Sequence, residues 1–365
     1  MLPSLRRTAR FAREWSRPLP GLEAVEVSLP EAVGARPATR YSPVGAPPGP
    51  GWVLLHGITR PGRRHRSLTR FARSLAAGGA TVLVPEIEAW AEMELAPDRA
   101  LDAARAGVEH LEADPRVIGR PGLMGFSFGA PQALRVAAEP SLRDRLGAVA
   151  GFGGYGDLGR TLRFLFTGEH EWEGTVRRAR PDPYGRWIVA GNYLPRVPGF
   201  EDAGDVAYAL RRLAVAAGDL GIESWAPGLD EVKRTLWAEL SPGERELFRV
   251  FAPDAACDPP GPGPESEEWA RRLAEAAGSV QPLLAVPDRV DVEVPVFLLH
   301  GRHDHLIPFT ETLRLAPRIR SPRVSVAITG LFGHSAGDPR SRSPSTWASE
   351  LWTLGRTLTE LLAVV

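Results

Sequence analysis

The pentapeptide Gly125-Phe126-Ser127-Phe128-Gly129 has the residue types that a serine nucleophile needs. A serine on a tight turn between a strand and a helix presents its hydroxyl at the helix N-terminus, where the helix dipole favours negative charge on the attacking oxygen. Such a turn leaves little room for side chains two residues to either side, and Gly125 and Gly129 meet that requirement. A Gly-rich turn can also be purely structural, so the pentapeptide alone does not assign a reaction.

Asp304 and His334 are the residues that could activate this serine. A serine hydroxyl is too weakly acidic to attack a carbonyl unaided, so it needs a base, and the base needs an acid to orient it. Asp304 follows the apolar run 296–299 and His334 follows the last strand-like segment, which places both at the carboxyl edge of a parallel sheet. We therefore predict Ser127 as the nucleophile, Asp304 as the orienting acid and His334 as the base, in a chain order typical of one class of serine hydrolase.

The segment His56-Gly57-Ile58-Thr59 follows the first continuously apolar run, 52–55. An attacked carbonyl develops negative charge, which preorganised N–H donors stabilise by about 2.7 to 4 kcal/mol each. We predict that the backbone amides of Phe128 and Ile58 supply two such donors. His56 itself is predicted to hold this loop rather than to carry a proton.

Other acidic residues could compete with Asp304. Asp291 and Glu293 precede the apolar run 296–299 and are predicted to be solvated charges at its opposite end. Asp338 follows His334, and a role as a partial substitute for Asp304 stays open.

His303 and His305 flank Asp304, a spacing that could indicate a metal site. No further ligand has convincing spacing, and the segment 170–173, His-Glu-Trp-Glu, lacks the second histidine of a metalloprotease helix. We predict that both histidines lie at the rim of the site, with no metal and no cofactor. Trp90 and Tyr155 are predicted to contact substrate, because each follows a strand and lies at the carboxyl edge.

The elements that must position these residues are predicted from apolar periodicity. Segments 24–29 and 39–42 predict an antiparallel hairpin, and strand-like and helix-like segments then alternate up to residue 152 and again from residue 294. This alternation predicts a parallel sheet with helices on both faces. Between residues 157 and 287 the pattern predicts helices without intervening strands.

Composition limits the partners of the chain. Its 365 residues carry 44 basic and 44 acidic side chains, so neither nucleic acid nor an acidic surface is expected as the main partner, and a neutral or weakly charged small molecule fits better. The single Cys257 excludes an intramolecular disulfide framework and a multi-cysteine metal site. No stretch is apolar enough to span a membrane, and we expect a cytoplasmic protein.

Residues 1–17 carry five arginines but lack the apolar stretch of a secretory signal. We predict a terminal helix packed on the domain. Attachment to a membrane surface is the alternative.

Together the four segments resemble the α/β-hydrolase superfamily: the His-Gly loop at 56–57, the elbow at 125–129, the acid segment at 300–308 and the Gly-His pair at 333–334. The resemblance implies an eight-stranded, mostly parallel sheet formed by residues 1–156 and 288–365. It also implies that residues 157–287 form a helical cap inserted after the sixth strand. Serine at the nucleophile position disfavours haloalkane dehalogenases and epoxide hydrolases.

The resemblance implies a carboxylic ester hydrolase that works through an acyl-enzyme. The same triad also serves thioesterases, amidases, carbon–carbon hydrolases and acyltransferases, because the cap sets the substrate. The alternative outside the enzymes is a non-catalytic protein of the same fold that binds a ligand. The oligomeric state stays open.

Overall fold

An eight-stranded sheet forms the centre of the computed structural model, which describes residues 2–30, 35–257, 264–330 and 344–364. The strands in these ranges are β1 (Leu22–Pro30), β2 (Ala35–Pro43), β3 (Gly51–Leu55), β4 (Thr81–Pro85), β5 (Gly122–Phe126), β6 (Ala148–Phe152), β7 (Glu169–Trp172), β8 (Thr175–Arg178), β9 (Val290–Asp291), β10 (Val296–Gly301), β11 (Ile319–Arg320) and β12 (Val324–Thr329). The order in the central sheet is β1-β2-β4-β3-β5-β6-β10-β12. The pairs β1–β2 and β2–β4 are antiparallel and the others are parallel, which confirms the mostly parallel sheet of eight strands.

Helices cover both faces of this sheet. They are α1 (Leu2–Ser16), α2 (Arg66–Ala77), α3 (Glu88–Ala91), α4 (Arg99–Glu112), α5 (Gly129–Ala137), α6 (Leu158–Thr167), α7 (Tyr184–Tyr193), α8 (Gly204–Leu220), α9 (Asp230–Glu239), α10 (Pro242–Phe251), α11 (Pro264–Val280), α12 (Thr310–Leu315) and α13 (Pro344–Val364). Helices α1, α2 and α13 pack on one face, and α4 and α5 pack on the other, together with the helices that follow β6.

The apolar run of β3 shows why the sheet needs cover on both faces. Successive side chains of a strand point to opposite faces. Trp52 and Leu54 belong to the core under α1, α2 and α13. Val53 and Leu55 belong to the core on the side of α4 and α5. A strand buried on both faces therefore reads as a continuous apolar run, and β3 is completely buried.

The N-terminal helix α1 packs on the domain, as predicted. The ring of Phe11 is almost fully buried and meets the ring of Phe71 of α2 edge-on, with centroids 5.4 Å apart. Arg7 donates a hydrogen bond to the carbonyl of Leu362 in α13. Within the described ranges, every helix is too short or too polar to cross a membrane.

Residues 157–287 lie between the sixth and seventh strands of the central sheet in chain order and hold α6 to α11. The prediction that this segment contains no strands is wrong, because β7 and β8 form a small hairpin. Glu173 and Gly174 form its two-residue loop, and both have positive φ, 52° and 75°. A two-residue loop of that shape usually carries Asn-Gly or Asp-Gly, so Glu-Gly gives a weak signal. The division into a core and a cap at residues 156 and 287 stays a prediction.

Candidate active site

Ser127 lies on the turn between β5 and α5. Its φ of 53° is in the left-handed region, which is uncommon for a residue other than glycine and costs free energy. The Ser127 N–H donates to the carbonyl of Phe152 in β6 at 2.7 Å, which fixes the turn against the neighbouring strand. The sequence thus places a serine in a strained conformation at the carboxyl edge of the sheet.

The two glycines of the elbow are required by close packing. A Cβ atom on Gly125 would collide with the backbone of Gly129, and a Cβ on Gly129 would lie 2.7 Å from the carbonyl oxygen of His56. Strand β5, helix α5 and the loop after β3 therefore approach one another more closely than any side chain allows. This is the steric reason for the spacing that the sequence shows.

The loop after β3 lies directly against the nucleophile. A Cβ on Gly57 would lie 3.1 Å from the Cβ of Ser127. Among the described residues, no carbonyl or side chain accepts a hydrogen bond from the N–H of Ile58 or of Phe128, so both donors are free to serve a ligand. Phe128 precedes the first residue of α5, where backbone N–H groups are unpaired by the helix itself.

His56 joins this loop to the loop after β4. Its Nδ1 lies 2.7 Å from the carbonyl oxygen of Gly57, and its Nε2 accepts a hydrogen bond from the N–H of Ile87 at 3.0 Å. The ring is almost completely buried. These contacts match the predicted holding role.

Behind His56 lies a group of charged side chains, with Arg63 buried at its centre, that the sequence did not reveal. The Glu86 carboxylate lies 3.2 Å from the Nε2 of His56 and 3.3 Å from the Nε of Arg63. Arg63 in turn pairs with Glu26 at 2.7 Å. Burial raises the pKa of Glu86, but the adjacent His56 ring and the N–H and charge of Arg63 outweigh it, and the pKa lies below its ordinary value of 4.5. The network anchors the loop that carries Ile58.

Asp304 is buried beyond the end of β10. Its Oδ1 accepts hydrogen bonds from the N–H groups of Leu306 and Ile307, both at 2.9 Å, and its Oδ2 lies 3.4 Å from the Nε2 of His300. Two backbone donors on one oxygen favour the ionised carboxylate and fix its direction. The carboxylate of Asp304 is therefore held in a fixed orientation beside the large cavity described below.

His300 supports this arrangement from within the core. Its Nδ1 lies 2.7 Å from the Oγ1 of Thr312 and its Nε2 lies 2.8 Å from the carbonyl oxygen of Ile307. Both ring nitrogens thus have partners in the segment that follows Asp304. The His300 ring therefore packs against the segment that holds Asp304, a contact that the sequence analysis did not predict.

The competing acids lie elsewhere. Asp291 is exposed on β9, which pairs with β11 outside the central sheet, and it forms an ion pair with Arg289 at 2.8 Å. Glu293 is exposed and pairs with Arg143 at 3.4 Å. Both are solvated charges, as expected. His334 and Asp338 lie outside the described residues.

Of the two histidines beside Asp304, His305 contacts the insertion. The Nδ1 of His305 is 2.6 Å from the carbonyl oxygen of Arg180, and its ring meets Trp225 edge-on with centroids 5.3 Å apart. Within the described ranges, no three His, Cys, Asp or Glu side chains are grouped closely enough to hold a metal ion.

Two cavities meet at Ser127. The larger, of about 560 Å³, extends past Asp304 and is lined on its outer side by Asp182 and Glu223 of the insertion. The smaller, of about 80 Å³, extends between the sheet edge, α6 and α7. Four residues line both cavities and form the neck between them: Ile58, Ser127, Tyr184 and Leu306.

The two residues predicted to contact substrate, Tyr155 and Trp90, differ in their position relative to the cavities. Tyr155 lines the small cavity, and its hydroxyl donates to the carbonyl of Leu284 at 3.0 Å. Trp90 is fully buried and lines neither cavity in the described part of the chain. Its indole packs edge-on against Phe128, with centroids 5.1 Å apart, and donates from Nε1 to the carbonyl of Ala96. The helix α3 turns Trp90 inward, so its position supports packing behind Phe128 rather than substrate contact.

Tyr184, at the start of α7, is the site residue that sequence reasoning missed. Its hydroxyl donates to the carbonyl of Ile58 at 3.2 Å and lies 3.1 Å from the sulfur of Met93. Burial raises the pKa of Tyr184, so the hydroxyl stays protonated and can donate. The only available signal was a tyrosine after the Pro-Asp-Pro segment 181–183, at a position where a helix can begin.

Comparisons with known proteins find likeness in structure only. No family model matches the chain, and no curated protein matches its sequence. A candidate hydrolase from Legionella pneumophila has a TM-score of 0.51 at 10% identity, over 94% of this chain and 88% of that one.

Two further solved structures are less similar in shape. The 2-hydroxy-6-oxo-6-phenylhexa-2,4-dienoate hydrolase of Rhodococcus sp. strain RHA1 has a TM-score of 0.46 at 18% identity, over 93% of this chain and 98% of that one. Brefeldin A esterase, a bacterial homologue of human hormone sensitive lipase, has a TM-score of 0.46 at 15% identity, over 100% of this chain and 85% of that one. With its strand order and its strained serine turn, the chain has the fold of the α/β-hydrolase superfamily.

Proposed function

We propose that the protein is a serine hydrolase that cleaves carboxylic esters of small molecules through an acyl-enzyme. The observation that carries the proposal is the conformation of Ser127: a φ of 53° on a turn between β5 and α5, beside N–H groups of Ile58 and Phe128 that have no acceptor among the described residues. A strained non-glycine residue at such a position is expected where function requires it. The buried, hydrogen-bonded Asp304 at the same cavity supports the proposal.

In the first half-reaction, the Oγ of Ser127 attacks the ester carbonyl carbon while His334, the base predicted from sequence, takes the hydroxyl proton. The N–H groups of Ile58 and Phe128 stabilise the oxyanion, each by about 2.7 to 4 kcal/mol. When the tetrahedral intermediate collapses, the bond to the leaving oxygen breaks and the histidine returns the proton to that oxygen.

In the second half-reaction, water replaces the alcohol. The base takes one proton from water, the hydroxyl oxygen attacks the acyl carbon, and the bond to the Oγ of Ser127 breaks as that oxygen regains the proton. The net reaction is ester plus water to acid plus alcohol. Asp304 accepts no proton in this scheme and serves to orient and stabilise the charged histidine.

The test is a p-nitrophenyl ester panel combined with fluorophosphonate labelling. We expect turnover of at least some esters, labelling at Ser127, and loss of activity by a factor on the order of 10⁴ or more in Ser127→Ala. Ser67→Ala is the matched control, because Ser67 is exposed and lines the large cavity without lying on the elbow.

Labelling of another residue, or esterase activity in Ser127→Ala close to that of the wild type, would overturn the proposal. Thioester and anilide analogues of the same acids are included in the panel, because the same triad cleaves them. Faster turnover of either class at equal concentration would replace the ester assignment.

A further inference from the structure

The small cavity at Ser127 is walled by one face of helix α6. Leu158, Thr161, Leu162 and Leu165 recur at intervals of three and four residues, so they lie on the same side of the helix, and all line the cavity. Ile188 and Val189 of α7 complete this wall. The leucines at 162 and 165 and both α7 residues are buried, so the wall is a packed surface.

The polar groups of this wall are already engaged within the protein. The hydroxyl of Tyr155 donates to the carbonyl of Leu284, and the hydroxyl of Thr161 donates to the carbonyl of Asp157 at 2.8 Å. The hydroxyl of Tyr184 donates to the carbonyl of Ile58. No charged residue lines the cavity within the described ranges. A ligand group in this cavity therefore contacts mainly apolar side chains, and polar atoms on that group would not add to its binding free energy.

The size of the cavity limits that group to a few carbon atoms. An apolar cavity of about 150 Å³ holds benzene, which has six carbons. The small cavity measures about 80 Å³, roughly half as much. In proportion, it holds a chain of about three carbons.

The residues of the two cavities indicate which part of an ester occupies each. Phe128, one of the two oxyanion donors, lines only the small cavity, and Asp304 lines only the large one. The acyl group stays bonded to Ser127 with its oxygen at the donors, whereas the leaving group must face the base that Asp304 orients. The acyl chain therefore points into the small cavity.

We propose, on the basis of the proposed function, that the substrates are esters of short unbranched acids, from acetyl to butanoyl. Leu162, Leu165 and Val189, three buried side chains of the cavity wall, limit the length of the acyl chain. The leaving group occupies the large cavity.

The experiment compares kcat/KM for p-nitrophenyl acetate, butanoate, hexanoate and octanoate. We expect butanoate to exceed octanoate at least about tenfold, because an extra methylene without space costs about tenfold or more. Leu162→Ala should lower the ratio of butanoate to octanoate kcat/KM at least about fivefold, since truncation enlarges the cavity. Val189→Ala removes fewer atoms and should also lower the ratio of butanoate to octanoate kcat/KM. It replaces Leu162→Ala as the test if that variant does not fold.

Leu210→Ala is the matched control, because Leu210 is a fully buried leucine of α8 that does not belong to the described lining of either cavity. We expect its butanoate-to-octanoate ratio to stay within about twofold of the wild type. A wild-type enzyme that cleaves octanoate as fast as butanoate, or an unchanged ratio in both Leu162→Ala and Val189→Ala, would overturn the inference.

A binding measurement separates this inference from the proposed function. Calorimetric titration of Ser127→Ala with butanoate and octanoate needs no turnover. If no ester is cleaved but butanoate binds more tightly than octanoate, the proposed function fails and the short acyl site stands. If esters are cleaved without preference for short chains, the function stands and the short acyl site fails.

Discussion

The hydroxyl of Tyr184 donates a hydrogen bond to the carbonyl of Ile58 at 3.2 Å. Tyr184 begins helix α7 of the inserted segment, whereas Ile58 belongs to the loop after β3, which presents a candidate oxyanion donor. This hydrogen bond fixes the peptide unit between Ile58 and Thr59, which adjoins the unit that carries the Ile58 N–H. One side chain of the insertion thus helps to orient a donor that the sheet alone does not hold.

Tyr184→Phe should lower kcat about tenfold with a small change in KM, because a less fixed Ile58 N–H stabilises the oxyanion less well. The free energy of unfolding should fall by about 1 kcal/mol for the lost hydrogen bond. Steady-state kinetics and urea unfolding measure the two effects. Tyr193→Phe is the control, because its hydroxyl, in the same helix, bonds to the carbonyl of Leu95 at 3.3 Å. An equal loss of kcat in both variants would contradict a role specific to Tyr184.

Asp304→Asn should reduce kcat by about 10⁴, since an amide cannot stabilise the charged base and favours the wrong histidine tautomer. The matched change Asp291→Asn should leave kcat within about twofold, because Asp291 is exposed and paired with Arg289. Both variants are assayed on the same ester. If Asp304→Asn keeps more than about a tenth of the activity, the acid is another residue, and Asp338 is the next to substitute.

The parts of the site that the sequence predicted are those with local steric or electronic requirements. Gly125 and Gly129 flank the nucleophile because the backbones of three elements meet there. The need for glycine at both positions is therefore visible within a sequence of five residues. Asp304 was recognised because it follows a buried strand. The mostly parallel sheet with helices on both faces followed from the alternation of apolar periodicities, and its eight strands followed from the resemblance.

The parts that the sequence did not predict depend on contacts between distant segments. Glu86 lies 23 residues from Arg63 and meets it only through folding. Trp90 follows a strand, as a cavity residue would, but α3 turns it into the core. Helix α7 is apolar on most sides and buried, so it lacks the alternation of apolar and polar faces that marks a surface helix.

Gly125→Ala should prevent folding or lower the free energy of unfolding by more than about 3 kcal/mol, because the added methyl collides with the backbone of Gly129. Gly243→Ala is the matched change: its Cβ meets no atom within 4 Å and it lies in α10. That variant should be neutral or more stable by up to about 1 kcal/mol. Urea unfolding followed by circular dichroism compares them. A stable, fully active Gly125→Ala would show that the elbow is wider than the structure indicates.

Glu86→Gln should change how stability depends on pH. The pKa of Glu86 in the folded protein lies below 4.5, because the adjacent His56 ring and the N–H and charge of Arg63 outweigh the effect of burial, so folding favours the ionised carboxylate. That contribution is fully present above the unfolded value of 4.5 and is lost as pH falls through the lower folded value. The wild type should therefore exceed Glu86→Gln in free energy of unfolding at pH 7, and the difference should shrink below pH 4.5.

Urea unfolding from pH 3 to pH 8 measures this difference for Glu86→Gln and for Glu92→Gln, a change at an exposed position near the end of α3. Glu92→Gln should follow the wild-type curve, because the Glu92 side chain is exposed to solvent in the folded protein. Because Glu86 anchors the loop of His56 and Ile58, kcat of Glu86→Gln at pH 7 should also fall, by about threefold to tenfold. A Glu86→Gln curve parallel to the wild type across the whole range would mean that the carboxylate is not stabilised by His56 and Arg63.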